Sequence, residues 1–293
     1  MEMYMNTECM LCHMERNVQL ARTLGTEAQA TAFIKEVMRQ YVTAPEGYTS
    51  PHFAAGTEKI LQRFYGVPAD RYRQEKQESN RFVLERMDAL RSKVESQADP
   101  VLAGLKFAIL GNYIDFSALR GNVSFQMLED MIASALEMEL NEACYEKLCQ
   151  DLAAGSRLLY VSDNAGEIGF DRIFAEQIAK HYPNLQITFC VRGGPAMNDA
   201  LREDAAAVGI PFPVIDSGIS MPGTALDCVN EETRQAFAQA DVILSKGMGN
   251  VETLLGCGYN VYFAFLVKCQ RFVNKFGRPL MTPMLVRELD PRE

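Results

Sequence analysis

Histidine is scarce in this chain, with only His13, His52 and His181, and none of them sits in a strand-end motif. That argues against a Ser-His-Asp hydrolase and against a His-rich zinc hydrolase. No apolar run reaches the roughly 18 residues of a membrane helix, and the mean hydropathy is −0.11. The opening MEMYMNTECMLCHMER has no basic region followed by an apolar core, so it does not read as a secretory signal. A cytoplasmic protein is the expectation. Basic residues are outnumbered, 29 Lys and Arg against 38 Asp and Glu, for a net charge of −9. That balance disfavours nucleic acid and anionic membrane as partners, but leaves room for a local basic pocket that takes a small phosphate. There is no internal repeat and no low-complexity segment.

What is present is ordinary globular material, 48% hydrophobic and 23% charged over 293 residues. That length fits one large domain, or a core with a smaller attachment. Oligomeric state is not legible, and a homo-oligomer is compatible with the sequence. The eight cysteines read as reduced thiols in a chain of this type.

The two halves differ in period. Residues 1–150 carry helical spacing, as in Phe33, Ile34, Val37, Met38 and Tyr41, in Val83, Met87, Leu90 and Val94, and in Leu128, Ile132 and Leu136. The segment 43–56 reads as a loop, and QADP at 97–100 as a break. From residue 157 the pattern alternates. Strands are expected at 157–163, 185–192, 212–216, 241–246 and 259–267, with a sixth within 279–289. Helices are expected after the first strand to about His181, from about Asn198 to Val208, at 231–239 and from about Asn250. The expected fold is therefore α/β, a three-layer α/β/α Rossmann-like, mostly parallel sheet with an N-terminal helical subdomain. Residues 1–150 would cap the site and 151–293 would form the core.

Ligands in such sheets bind beyond the carboxyl ends of strands. Three strand ends carry chemistry: Asp163-Asn164-Ala165-Gly166-Glu167, Arg192-Gly193-Gly194-Pro195 with Asn198-Asp199, and Ser245-Lys246-Gly247-Met248-Gly249-Asn250. Asp163, Asn164 and Asp199 offer hard oxygen ligands suited to Mg²⁺, Mn²⁺ or a similar ion. Lys246 would supply positive charge to a phosphoryl group, and the Gly247–Gly249 backbone could turn N–H groups toward an anion. Taken singly, each segment also reads as helix capping or a glycine turn.

Together the segments resemble the metal-dependent damage-control phosphatase family, formerly a domain of unknown function. DNAGE at 163–167, RGGPAMND at 192–199 and SKGMGNVE at 245–252 carry the resemblance. The helical half agrees. Cys9-Met10-Leu11-Cys12 is similar to the CxxC that opens the prokaryotic branch, DRYRQEKQESN at 70–80 to a DPYxxxKxxSN-like segment, and GNYIDF at 111–116 to GNxxD. Departures are Arg71, where proline is commoner, and Met248, where glutamine is frequent. The resemblance implies hydrolysis of phosphomonoesters of small metabolites, sugar phosphates or damaged phosphometabolites, with a divalent ion such as Mn, Co, Ni or Mg. It implies Asp163, Asn164 and Asp199 as metal ligands and Lys246 as the phosphate-binding group. Asn112 and Asp115 would reach the site from the helical half. Glu167, Asn198, Gly247, Gly249 and Asn250 complete the candidate substrate contacts.

Two routes to phosphorus stay open, a water activated by the metal or attack by a carboxylate such as Asp163. The water route is preferred, because a ligating carboxylate is less free to attack. The pair Cys9 and Cys12 reads as helix packing, with a metal or redox role as the alternative. Cys190, Cys228, Cys257 and Cys269 read as small hydrophobes. Rival functions are an S-adenosylmethionine-dependent carboxyl methyltransferase and a non-catalytic sugar-phosphate or nucleotide sensor.

Overall fold

A computed structural model describes residues 3–112, 130 and 133–288. Asp115, Leu128 and Ile132 lie outside the described residues, so the expectations placed on them are not addressed by it. Among the described residues, no helix is long and apolar enough to cross a membrane.

Five strands run parallel, β1 Arg157–Val161, β2 Gln186–Val191, β3 Val214–Asp216, β4 Val242–Lys246 and β5 Val261–Leu266. A sixth, β6 Pro283–Arg287, pairs antiparallel to β5. The sheet order is β3-β2-β1-β4-β5-β6. Strand order therefore reverses between β1 and β4, and a crevice opens at their carboxyl ends.

Both faces of the sheet are covered. Leu158, Tyr160, Val242 and Leu244 enter one apolar cluster. Their neighbours Leu159, Val161, Ile243 and Val261 enter the other. Burial on both faces explains why these strands read as continuous apolar runs rather than alternating ones.

The helical half consists of α1 Thr7–Leu24, α2 Glu27–Thr43, α3 Ser50–Tyr65, α4 Arg73–Leu84, α5 Met87–Glu95, α6 Pro100–Gly111 and α7 Glu142–Ala154. Two expectations change here. The loop foreseen over 43–56 is shorter, because Thr43 still belongs to α2 and Pro51 sits in the first turn of α3. Proline there gives up only an N–H that has no partner within the helix. In addition, residue 150 is not a packing boundary. Leu105, Ala108 and Ile109 of α6 and Leu148 and Leu152 of α7 lie in the same apolar cluster as the sheet. Those helices cover the sheet, while Phe33, Val37 and Leu61 of α2 and α3 form a separate apolar cluster.

On the core side follow α8 Glu167–His181, α9 Arg202–Ala207, α10 Glu231–Gln239, α11 Met248–Leu254 and α12 Gln270–Phe276. The helix foreseen from Asn198 starts only at Arg202, because residues 198–200 are paired with the loop after β1. The close approach of α6 to α8 favours glycine. A Cβ on Gly111 would lie 3.1 Å from Glu167 Cγ and from Phe170.

Asn80 in α4 ties the helical half to the core. Its Oδ1 accepts from Gly166 N at 2.7 Å, and its Nδ2 donates to Asp204 Oδ1 at 2.8 Å. Buried Lys76 reaches Asp204 Oδ2 at 3.3 Å. Asn80→Ala leaves a buried N–H at the start of α8 unpaired. It should lower stability by about 1–3 kcal/mol in a denaturant titration, without changing metal binding.

Candidate active site

The loops after β1 and β2 are stitched together. Ala200 N donates to Asp163 O at 2.8 Å, and Ala165 N donates to Asn198 O at 2.9 Å. A bridge pairs Asn164 with Asp199. Backbone pairing thus gathers Asp163, Asn164 and Asp199 from two strand ends.

Asp163 Oδ2 accepts from Asn112 Nδ2 at 3.0 Å and from Asn164 Nδ2 at 2.9 Å. The same two amides donate to Glu167 Oε2, at 2.9 and 3.0 Å. Asp199 Oδ2 accepts from Arg192 Nε at 2.6 Å, and Arg192 Nη2 stands 3.7 Å from Asp163 Oδ1. Arg192 is 1% exposed. Its position inside RGGPAMND was legible, but its role as a cation between two carboxylates was not.

Burial first, and then Glu167 and Asp199, push the Asp163 carboxyl well above the usual carboxylate range, with Arg192 and Lys268 offsetting part of the rise. A cation added here would relieve that crowding. Two further observations fit an oxygen-ligated divalent ion. Asn164 Nδ2 is spent on the carboxylates, and its carboxamide oxygen accepts no hydrogen bond among the described residues. Asn112 Oδ1 is buried without a donor. Two carboxylates and carboxamide oxygens form a hard donor set of the kind Mg²⁺ and Mn²⁺ take.

These groups line a cavity of about 470 Å³, together with Asn198 and Gly249. Lys268 and Arg271 bring positive charge to its wall, and Cys9 and Cys12 come from α1. Arg271 Nη1 donates to Cys9 Sγ at 3.1 Å. Of the thiols expected to pack as hydrophobes, Cys190 is fully buried. Cys228 departs from that expectation, being exposed beside His52.

Three candidate contacts lie behind the cavity wall, and the first, Glu167, is buried with both carboxylate oxygens taken up by Asn112, Asn164 and Lys246. Lys246 is completely buried, and its Nζ donates to Glu167 Oε1 at 2.5 Å, Asp171 Oδ1 at 2.9 Å and Ala108 O at 2.8 Å. All three ammonium protons are thereby used, so Lys246 holds Glu167 in place instead of meeting a phosphoryl group. Burial opposes its charge, but Asp171 and Glu167 outweigh burial and hold its pKa above the ordinary lysine value. Asn250 is also fully buried. Its Nδ2 donates to Ser162 O and Lys246 O, and its Oδ1 accepts from Thr224. It clamps β1 to β4 and has no group left for a substrate.

Gly247 has a steric role. Its φ is 75°, and a Cβ there would lie 1.9 Å from Asp163 Oδ2. Its N–H is spent on Ala264 O at 3.2 Å, so it is not offered to an anion. The helix after it starts at Met248, earlier than the Asn250 foreseen.

The chain is similar to several archaeal proteins. The chain is 29% identical over 284 residues to an uncharacterized protein, MJ0202, of Methanocaldococcus jannaschii, covering 92% of this chain and 91% of that one. It is 33% identical over 178 residues to damage-control phosphatase PH1575 of Pyrococcus horikoshii, covering 60% of this chain and 61% of that one. A damage-control phosphatase of Archaeoglobus fulgidus is 28% identical over 240 residues, covering 79% and 82%. The crystal structure of a DUF89 family protein from P. horikoshii superposes with a TM-score of 0.83 at 25% identity, covering 98% of this chain and all of that one. The sequence profile of the damage-control phosphatase ARMT1-like domain matches residues 5–282, and the chain belongs to that family.

Proposed function

We propose that this chain is a cytoplasmic phosphatase that hydrolyses phosphomonoesters of small metabolites, sugar phosphates among them, with a divalent ion held by Asp163, Asn164 and Asp199. The observation that carries the reading is the crowding of Asp163 against Glu167 and Asp199 at the strand-order reversal, in a cavity whose wall also carries Lys268 and Arg271. Bound there, a divalent ion supplies positive charge to the phosphoryl oxygens and favours ionisation of water.

The remaining work falls to the chain itself. Asn112 and Asn164 orient the Asp163 carboxylate through two donated hydrogen bonds. Lys246 and the two amides hold Glu167. Lys268 takes the phosphate-binding role first given to Lys246, because Lys268 lines the cavity and Lys246 does not. Arg192 prevents Asp163 and Asp199 from repelling one another apart. Because Oδ2 of Asp163 accepts two hydrogen bonds and Oδ1 faces Arg192, the attack on phosphorus is assigned to water. The α1 helix brings Cys9 and Cys12 to the cavity wall, in keeping with the branch that opens on CxxC.

The test is phosphate release by metal-stripped protein from p-nitrophenyl phosphate and a sugar-phosphate panel, with Mg²⁺, Mn²⁺, Co²⁺ or Ni²⁺ restored in turn. Release that depends on the metal is expected. Binding of sugar phosphates without release under any metal would instead favour the sensor reading.

A further inference from the structure

The cavity over Asp163 adjoins a second one, with five lining residues in common. This outer chamber measures about 650 Å³ and is built mainly from α1, α3 and the segment around Arg71. His13, Arg16, Ala54, Met197 and Asn198 line both chambers, so they mark the junction. Met197 there has φ 52°, a left-handed conformation uncommon for a residue with a side chain. The inner chamber alone is of a size that suits a small ligand. The outer one needs a separate explanation.

Charge supplies one. Among the residues lining the outer chamber, Arg71 is neutralised by Glu58, with its Nη2 and Nε at 2.8 and 3.3 Å from the two carboxylate oxygens. Burial, and then the charge of Arg16, lower the His13 imidazole to about 4, so it is neutral at ordinary pH. Its Nδ1 is in contact with the Tyr41 hydroxyl. What is left is Arg16. It is exposed, and among the described residues it has no carboxylate within ion-pair distance, whereas Arg22 on the same helix pairs with Glu27. One uncompensated guanidinium thus stands where the chambers meet, in a protein whose net charge of −9 repels anions at long range.

We infer that the substrate carries a second anionic group besides its phosphoester, a carboxylate or a phosphate, and that Arg16 binds this group where the outer chamber leaves the inner one. The inference rests on the phosphatase reading. With the phosphoester at the inner end, beside the ion site and Lys268, a second anionic group of the same substrate lies toward the junction, where the planar guanidinium suits bidentate capture of either group. Arg16 is in this sense a specificity residue, which adds binding energy without touching the reacting phosphorus.

Matched substrate pairs test it with the metal-loaded protein. 3-Phosphoglycerate is compared with glycerol 3-phosphate, and fructose 1,6-bisphosphate with fructose 1-phosphate. The expected result is that the wild-type protein prefers the doubly anionic member of at least one pair in kcat/KM. Arg16→Ala should shrink that preference by roughly tenfold or more, chiefly through KM, the scale of a lost charge-assisted hydrogen bond. Arg16→Lys, which keeps the charge but not the bidentate fork, should keep only part of it. A response in the first pair alone marks the group as a carboxylate, in the second alone as a phosphate, and in both as recognition of charge. No wild-type preference in either pair overturns the inference. So does an equal loss for both members of each pair, which would mean that Arg16 serves the transferred phosphate. Absence of release from every substrate, p-nitrophenyl phosphate included, overturns the phosphatase reading and the inference together. Release from p-nitrophenyl phosphate without a charge preference overturns the inference alone.

Discussion

Asp163→Asn should abolish metal-stimulated phosphate release while leaving the metal-free protein at least as stable as the wild type. The side chain keeps its shape, and an amide oxygen at the Oδ2 position can still accept from Asn112 and Asn164. What goes is one of two carboxylates offered to the ion. Metal chemistry contributes several kcal/mol to transition-state charge, so the loss in kcat/KM should be about 10³-fold or more. The stability change has a definite sign. Burial, Glu167 and Asp199 raise the folded-state pKa of Asp163 above its unfolded value. Its ionised form therefore costs stability as pH rises above the unfolded value, and the cost disappears in acid, where both states are protonated. Without metal, the variant should melt above the wild type at neutral and alkaline pH, and the difference should close as pH falls. A variant that releases phosphate normally would remove Asp163 from the metal site. One that melts far below the wild type at every pH would mean the carboxylate is structural.

Lys246→Met should act mainly on stability. A phosphate-binding lysine would lower activity and leave the fold alone, but here the ammonium is fully buried against Glu167, Asp171 and Ala108 O. Removing it strands two buried carboxylates, a change that typically costs on the order of 3–5 kcal/mol. For a chain of this length that corresponds to a fall of roughly 5–10 °C in melting temperature. Calorimetry on the metal-free protein reads it directly. Adding Asp171→Asn removes one stranded charge, so the double variant should recover part of the loss. An unchanged melting temperature with a raised KM would restore Lys246 to the phosphate.

Both expectations turn on features that differ in how readable they were. The strand positions were readable because each parallel strand is an apolar run bounded by turn residues, a purely local signal. The antiparallel turn of β6 was not, since direction is set by the partner across the sheet. The loop at 43–56 was overextended because composition marks where a helix is interrupted better than where the next one starts. Asp163, Asn164 and Asp199 were readable as oxygen donors at strand ends. The GNxxD motif marks Asn112, which donates to Asp163 in the structure.

Lys246 shows where reading along the chain ends. It closes a strand buried on both faces, so the apolar pattern does not say which face it occupies. Only the packing of α6 and α8 on that face puts Glu167, Asp171 and the Ala108 carbonyl around its ammonium. Arg16 is the converse case. On α1 it reads as one more solvated charge, and its place between two chambers exists only once α1, α3 and the Met197 loop come together.

By itself, the sequence determined the α/β alternation, the chemistry of the strand-end loops and the family, because strand runs, turn residues and short motifs are local. Tertiary structure decided which charged groups face the cavity and which are buried behind it, because that choice depends on neighbours far along the chain, 75 to 138 residues away for the three partners of Lys246.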